Sequence, residues 1–308
     1  MFEIILWIIL FFISFFILLK SSEWLIKAGN NIGIILKFPT IIIGVLFVGI
    51  SANIIGLAIS TFSNLRGVSD IGVYAILGSL IFNPLFVIIT IGFLKKKYEI
   101  KLKYSLNLLF LTFSTFLFIF FIIDLKFTKL ESIISIIWLI IYSVYVWLKK
   151  EAVENELPQT NLINIANFFV FVICFISIYF SANYLIKSIS SFSNISNLSV
   201  GIISLTIVSI GLLIPEFIIV LSAIKKDEID LAISTIISSN IIKILGILSI
   251  TRFFGEIIFT EIIFYIIPFY LISIILFGVI INLKKITIFH SIFALLLYLA
   301  FLIGLIYL

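Results

Sequence analysis

The chain has 308 residues, 63% of them hydrophobic and only 11% charged, with a mean hydropathy of +1.37. So sparse a polar complement cannot cover a water-soluble domain, so the sequence predicts a protein dissolved in lipid. The formal net charge of +5 gives no ground for a nucleic-acid partner. Its spread over the loops sets the topology instead.

Taken in order, Met1-Phe2-Glu3 has neither a basic leader nor a small-residue cleavage site, and reads as the start of a retained first span. With about 20 residues needed to cross a bilayer, ten apolar segments follow: 3–19 (extendable to 29), 39–62, 71–94, 105–123, 130–148, 162–186, 198–224, 229–250, 259–283 and 286–307. The one longer connection, Lys149 to Thr160, holds Pro158 and five charges. The expected organisation is a first five-helix unit over 1–148, a cytoplasmic loop over 149–160 and a second five-helix unit over 161–308.

Basic residues alternate between loops. Lys20, Lys27, Lys37, Lys95, Lys96, Lys97, Lys101, Lys103, Lys149, Lys150, Lys225, Lys226, Lys284 and Lys285 fall on one side, fourteen in all. Arg66, Lys126, Lys129, Lys187 and Arg252 make five on the other, and Lys243 is left inside a span. The positive-inside rule then predicts a multi-pass cell-membrane protein with both termini outside. Cys174 and His290 are single residues of their kinds, so neither a disulfide nor a histidine-rich metal site can form within the chain. His290 reads as an interfacial polar residue at the start of the last span.

The chain repeats itself at an offset of 160 residues. Ser21-Ser22-Glu23-Trp24-Leu25-Ile26-Lys27 falls on Ser181-Ala182-Asn183-Tyr184-Leu185-Ile186-Lys187, and Asp70 falls on Asp230. Gly49–Gly56 falls on Ser209–Glu216, and Gly78-Ser79-Leu80-Ile81-Phe82-Asn83 on Ser238-Ser239-Asn240-Ile241-Ile242-Lys243. Five spans per copy is an odd number, so the second copy enters the membrane from the opposite side. Such inverted repeats are a recurring plan of secondary transporters, with the site where the halves meet.

Intramembrane polarity is confined to two corresponding pairs of segments. Ser51, Asn53, Gly56 and Ser60 lie in the second, and Gly78, Ser79, Asn83 and Pro84 in the third. Thr206, Ser209, Gly211, Pro215 and Glu216 lie in the seventh; Ser234, Thr235, Ser238, Ser239, Asn240 and Lys243 lie in the eighth. Small hydroxyl residues also serve close helix packing. A charge near the bilayer centre costs about 2.5–3.5 kcal/mol on insertion scales and so seeks a partner or a wet cavity. Helical rise puts Glu216 and Lys243 about 14 and about 20 Å from the cytoplasmic ends of their spans. An ion pair between them is expected, with Gly211 and Pro215 breaking or kinking the helix; the alternative is that Lys243 snorkels outward towards the Arg252 end of its helix.

The repeat resembles the α-repeats of the calcium/cation antiporter superfamily, the sodium/calcium exchangers, in their short prokaryotic form. That family's motifs run G-T-S-L-P-E in the second and seventh spans and G-S-N-I-x-[DN] in the third and eighth. Gly211, Pro215, Glu216, Ser239-Asn240-Ile241, Gly78-Ser79 and Asn83 match them here. The resemblance implies an all-α polytopic membrane protein of ten transmembrane helices in two inverted five-helix repeats. It also implies cation antiport by alternating access, with small cations as partners and no enzymatic activity.

Glu216 would be the charged ligand, and Ser51, Asn53, Ser79, Asn83, Ser209, Ser239 and Asn240 the neutral oxygen ligands. No cofactor is implied beyond a bound cation such as Na+. The chain departs from the motifs where Gly56 replaces a glutamate and Lys243 an acid or amide. Calcium takes 6–8 oxygens, usually with several carboxylates, so a monovalent cation or proton is the expected coupling ion and Lys243 an internal counter-ion. The alternative is a non-transporting relative acting as a membrane scaffold or binding subunit. An intramembrane enzyme would need clustered acids, His or Cys, which the sequence lacks.

Overall fold

The computed structural model describes residues 2–35, 53–100, 105–148, 165–196 and 198–307. In chain order these form α1 (Phe2–Ile35), α2 (Ile54–Leu65), α3 (Ser69–Lys95), β1 (Lys97–Glu99), α4 (Ser105–Phe121), β2 (Lys126–Phe127) and α5 (Lys129–Leu148). After these come α6 (Ile165–Ser196), α7 (Val200–Lys225), α8 (Ile229–Phe253), β3 (Ile257–Ile258), α9 (Ile263–Asn282), β4 (Lys285–Thr287) and α10 (Ile288–Leu305). Eight of the described helices are long and apolar enough to cross a membrane, while α2 has 12 residues and α4 has 17. Most of the second expected span, and the loop over 149–160, lie outside the described residues. Length therefore establishes eight of the ten expected spans.

Two expected boundaries are corrected. The first segment, expected over 3–19 or on to 29, and the sixth, expected over 162–186, continue as helix to Ile35 and Ser196, because α1 runs for 34 residues and α6 for 32. At about 1.5 Å per residue these helices are about 50 Å long and overrun the hydrocarbon core. Reaching the headgroup region does not by itself end a helix, and neither Lys20 nor Lys187 is followed at once by a proline or glycine that would. Lys20 pairs with Glu23 at 2.9 Å one turn on, a spacing that supports the helix as it leaves the apolar layer.

The two halves are inverted. Helices α1 and α6 correspond at the 160-residue offset and pack side by side. Trp7, near the start of α1, lies under the Lys187 ammonium near the end of α6, 5.7 Å from ring centroid to nitrogen. The two copies are therefore antiparallel. The strands repeat the relation: β1 pairs antiparallel with β4, and β2 with β3. The offset carries β1 onto β3 and β2 onto β4, so exchanging the halves turns one ribbon into the other. Since α4 and α9 each run from one ribbon to the other, the ribbons lie at opposite ends of the bundle. A two-fold axis in the membrane plane does this. The turns before α3 and α8 also correspond, with Gly67 at φ 72° and Asp227 at φ 60°.

Helices α3 and α8 are the most buried spans and form the centre, whereas α5 and α10 face outward. A helix apolar on every side, as α3 is, needs such an all-round cover. Gly78 lets α3 meet α7 backbone to backbone. A Cβ placed there would lie 2.3 Å from the Leu205 carbonyl oxygen and 2.8 Å from Ser209 Oγ. Both central helices of the second half carry π-helical stretches, Ser204–Val208 in α7 and Ile242–Ile247 in α8. Such widened turns recur at functional sites. Of the break or kink expected at Gly211 and Pro215, the break is absent: α7 is continuously helical from Ser209 to Lys225. The proline only removes the donor that would meet the Gly211 carbonyl, and the irregular backbone falls one turn earlier.

Candidate ion site

Glu216 projects from α7 into the seam between α7 and α8. Its side chain is 1% exposed and that of Lys243 is 3% exposed, with Lys243 Nζ 2.9 Å from Glu216 Oε1. The ammonium has no aligned hydrogen-bond acceptor among the described residues, so the contact is an ion pair first. Ser239 and Lys243 stand one helical turn apart on α8 and address the same carboxylate oxygen. Ser239 Oγ lies 2.5 Å from Glu216 Oε1 and 3.1 Å from Asn53 Oδ1.

One hydroxyl proton cannot serve two acceptors. The arrangement that satisfies both has the Asn53 amide donating to Ser239 and Ser239 donating to Glu216. The free atom of Asn53 is then its carbonyl oxygen. Deeper in the seam, Asn83 Nδ2 of α3 donates to Asn240 Oδ1 of α8 at 2.9 Å, and Asn240 Nδ2 donates to the Leu80 carbonyl at 3.2 Å. Among the described residues, that chain leaves Asn83 Oδ1 without a donor, and Glu216 Oε2 is likewise unpartnered. Buried oxygens without donors are rare in native structures and call for a water or ion. Three of them, counting the Asn53 carbonyl, belong to residues expected to hold a cation.

Six of the eight expected ligands form these two contact groups or flank them directly. Glu216, Ser239 and Asn53 join Lys243 in one, and Asn83 joins Asn240 in the other. Ser79 flanks Asn83 from one turn away on α3, where its hydroxyl donates to the Ile76 carbonyl at 2.7 Å. Ser209 donates to the Leu205 carbonyl at 2.5 Å, with the Thr206 carbonyl as the alternative acceptor at 3.0 Å, and packs against Gly78. The structure shows no direct contact from either hydroxyl to the carboxylate. Ser51 lies outside the described residues.

The place of the missing second carboxylate is apolar. Among the described residues, a Cβ on Gly56 would meet only the Ile247 and Leu212 methyl groups, at 3.6 and 3.8 Å. No three His, Cys, Asp or Glu side chains gather among the described residues. Ile247 and Leu212 escaped the sequence reading, since nothing separates them from the other aliphatic residues of their spans. The Asn83–Asn240 contact was also missed as a pair, because the two are not at equivalent places in the repeat. His290 does sit at the start of the last helix, where its Nδ1 accepts from the Thr287 backbone at 3.3 Å and closes a capping box.

The family profile described as sodium/calcium exchanger protein matches residues 6–149 and again 166–307. These stretches begin 160 positions apart, as the internal repeat does. Comparison with curated proteins finds no match. Among solved structures, the fold is similar to that of the sodium-calcium exchanger NCX_Mj soaked with 100 mM Na+ and 10 mM Sr2+. The identity is 20% and the TM-score 0.63, over 96% of this chain and 97% of that one. NCX_Mj soaked with zero Na+ and Ca2+ is similar at 20% identity and TM-score 0.60, over 96% and 98% of the two chains.

Proposed function

The chain belongs to the sodium/calcium exchanger family, and from that premise we propose that it is an antiporter of a monovalent cation, or of protons, in which a tethered ammonium occupies one cation place. The observation that carries this reading is the 2.9 Å contact of Lys243 with Glu216, the one buried carboxylate among the described residues. Together the two side chains sum to zero charge, so a free cation entering the seam meets no net attraction. At 4 Å and an effective dielectric near 20, a unit charge is repelled by the ammonium by about 4 kcal/mol, and a divalent ion by about twice that. The carboxylate returns about the same, leaving nothing to offset dehydration. Calcium, which needs many oxygens and more than one acid, is the worse fit on every count.

A monovalent ion is offered Glu216 Oε2, Asn83 Oδ1 and the Asn53 carbonyl. Alternating access then exposes this seam to one end of the bundle and then the other, as inverted halves permit. The basic residues support an orientation with Lys95–Lys97, Lys225, Lys226, Lys284 and Lys285 in the cytoplasm and both termini outside. All of these lie at the β1–β4 end, where Lys95 also pairs with Asp227.

Flux through purified protein in liposomes, driven in turn by sodium, potassium, calcium and proton gradients, tests the reading. It requires monovalent or proton flux that Glu216→Gln abolishes. Calcium exchange by the natural chain overturns it. Absence of any flux, together with no ion-dependent thermal shift from acid to alkaline pH, would instead identify a non-transporting membrane scaffold.

A further inference from the structure

We propose that the cleft between α4 and α9 is a binding site for one anionic phospholipid, with an acyl chain in the cleft and the phosphate on Lys284 and Lys285. The cleft has a volume of about 540 Å³ and opens on the outer surface of the bundle. One wall is Leu109, Phe113 and Phe116 of α4, three side chains between 47% and 59% exposed and set one turn apart along the helix. The other is Gly278 and Asn282 of α9. A Cβ on Gly278 would find nothing within 4 Å. The missing side chain therefore makes the cleft, and nothing among the described residues fills it.

The chemistry changes from one end of this cleft to the other. Along α4 it is apolar and aromatic, as an acyl chain requires. At its end near the β1–β4 ribbon stands the exposed Asn282 amide, followed at once by Lys284 and Lys285. Both lysines are exposed and neither has an ion-pair partner among the described residues, whereas nearby Lys97 is held by Glu99 at 3.4 Å and Lys95 by Asp227. The two lysines lie just beyond the lining of the cleft. Lys285 stands opposite Glu99 across the strand pair, but that carboxylate is held by Lys97. An amide donor and an excess of positive charge at this end therefore match a phosphodiester headgroup carried on a hydrocarbon chain. A zwitterionic lipid would bring its own cation to the same place. Juxtamembrane lysines attract anionic lipid in just this setting.

Native mass spectrometry of detergent-purified protein, given equimolar phosphatidylglycerol and phosphatidylcholine, reads the site directly. The natural chain should retain one phosphatidylglycerol in preference. Lys284→Asn with Lys285→Thr should lower that preference about 30-fold, on the order of what two surface lysines contribute. Asn suits the left-handed backbone at Lys284, φ 54°, and Thr suits strand β4. Gly278→Leu should abolish retention of both lipids, and being a better helix former than glycine it should not unfold α9. Equal retention of the two lipids by the natural chain overturns the proposal. So does a Gly278→Leu variant, folded by circular dichroism, that still holds phosphatidylglycerol. Glu216 is intact in every variant and no flux is measured, so the outcome is independent of the ion selectivity proposed above.

Discussion

The Lys243 ammonium and the Glu216 carboxylate stand 2.9 Å apart, on neighbouring helices in the most buried part of a membrane bundle. Each makes the other tolerable. Removing one member of a buried pair strands the other charge, at a cost of about 3–5 kcal/mol, while removing both can be close to neutral. Glu216→Gln alone should therefore lower thermal stability strongly, and adding Lys243→Ala should recover part of the loss. A double-mutant cycle on detergent-solubilised protein gives the coupling. Additive effects would mean that the two charges do not interact.

Ser239 holds the same carboxylate oxygen and also meets Asn53. Ser239→Ala should cost about 1–3 kcal/mol, since it leaves buried groups on both α2 and α7 short of a partner. It should also slow any cation flux, because Glu216 loses the contact that fixes its rotamer. Unchanged flux and unchanged melting together would remove Ser239 from the site.

Two glycines packed against α7 should answer oppositely to alanine. At Gly78 the new methyl group would drive into the Leu205 carbonyl, forcing α3 and α7 apart, so the variant should melt earlier. At Gly56 the methyl group would land at ordinary contact distance from Ile247 and Leu212. Gly56→Ala should then gain about 0.5–1 kcal/mol from helix propensity alone. Melting curves of the two variants side by side decide this. A destabilised Gly56→Ala would mean that the place of the absent carboxylate is not the open apolar spot described.

At the β2–β3 end, Arg252 donates from Nε to the Phe127 carbonyl at 2.5 Å and from Nη1 to that of Gly255 at 3.1 Å. Charged donors to backbone carbonyls contribute about 1.5–3 kcal/mol. The Lys95–Asp227 pair at the other end is exposed, and such pairs contribute about 0–1 kcal/mol. Arg252→Ala should accordingly destabilise the protein more than Lys95→Ala does, as read by chemical denaturation. The reverse order would contradict the contacts described at the two ends.

What could be read in the sequence follows from what is conspicuous in lipid. A lone acid and a lone amine stand out in isoleucine-rich spans, so Glu216 and Lys243 could be singled out and their pairing expected. The repeat was visible because Ser, Lys, Asp and Leu recur at one ungapped offset among isoleucines that align anywhere. The backbone was harder to read. A π-helical turn leaves hydropathy unchanged, so nothing marked Ser204–Val208 or Ile242–Ile247. Pro215 suggested a break because proline lacks a donor, yet the packed helices around it keep α7 continuous. The long α1 and α6 were misjudged at Lys20 and Lys187, where charge marks the membrane boundary and not the end of the helix. The pairing of Asn83 with Asn240 depends on how the halves cross, which no single segment records.

Calcium binding is the most direct test of the claim that Lys243 holds a cation's place. Titration calorimetry on the natural chain should show no calcium binding. In Gly56→Glu with Lys243→Asp, where two carboxylates are added and the ammonium removed, calcium should bind. Calcium binding to the natural chain, with Lys243 in place, would contradict the account.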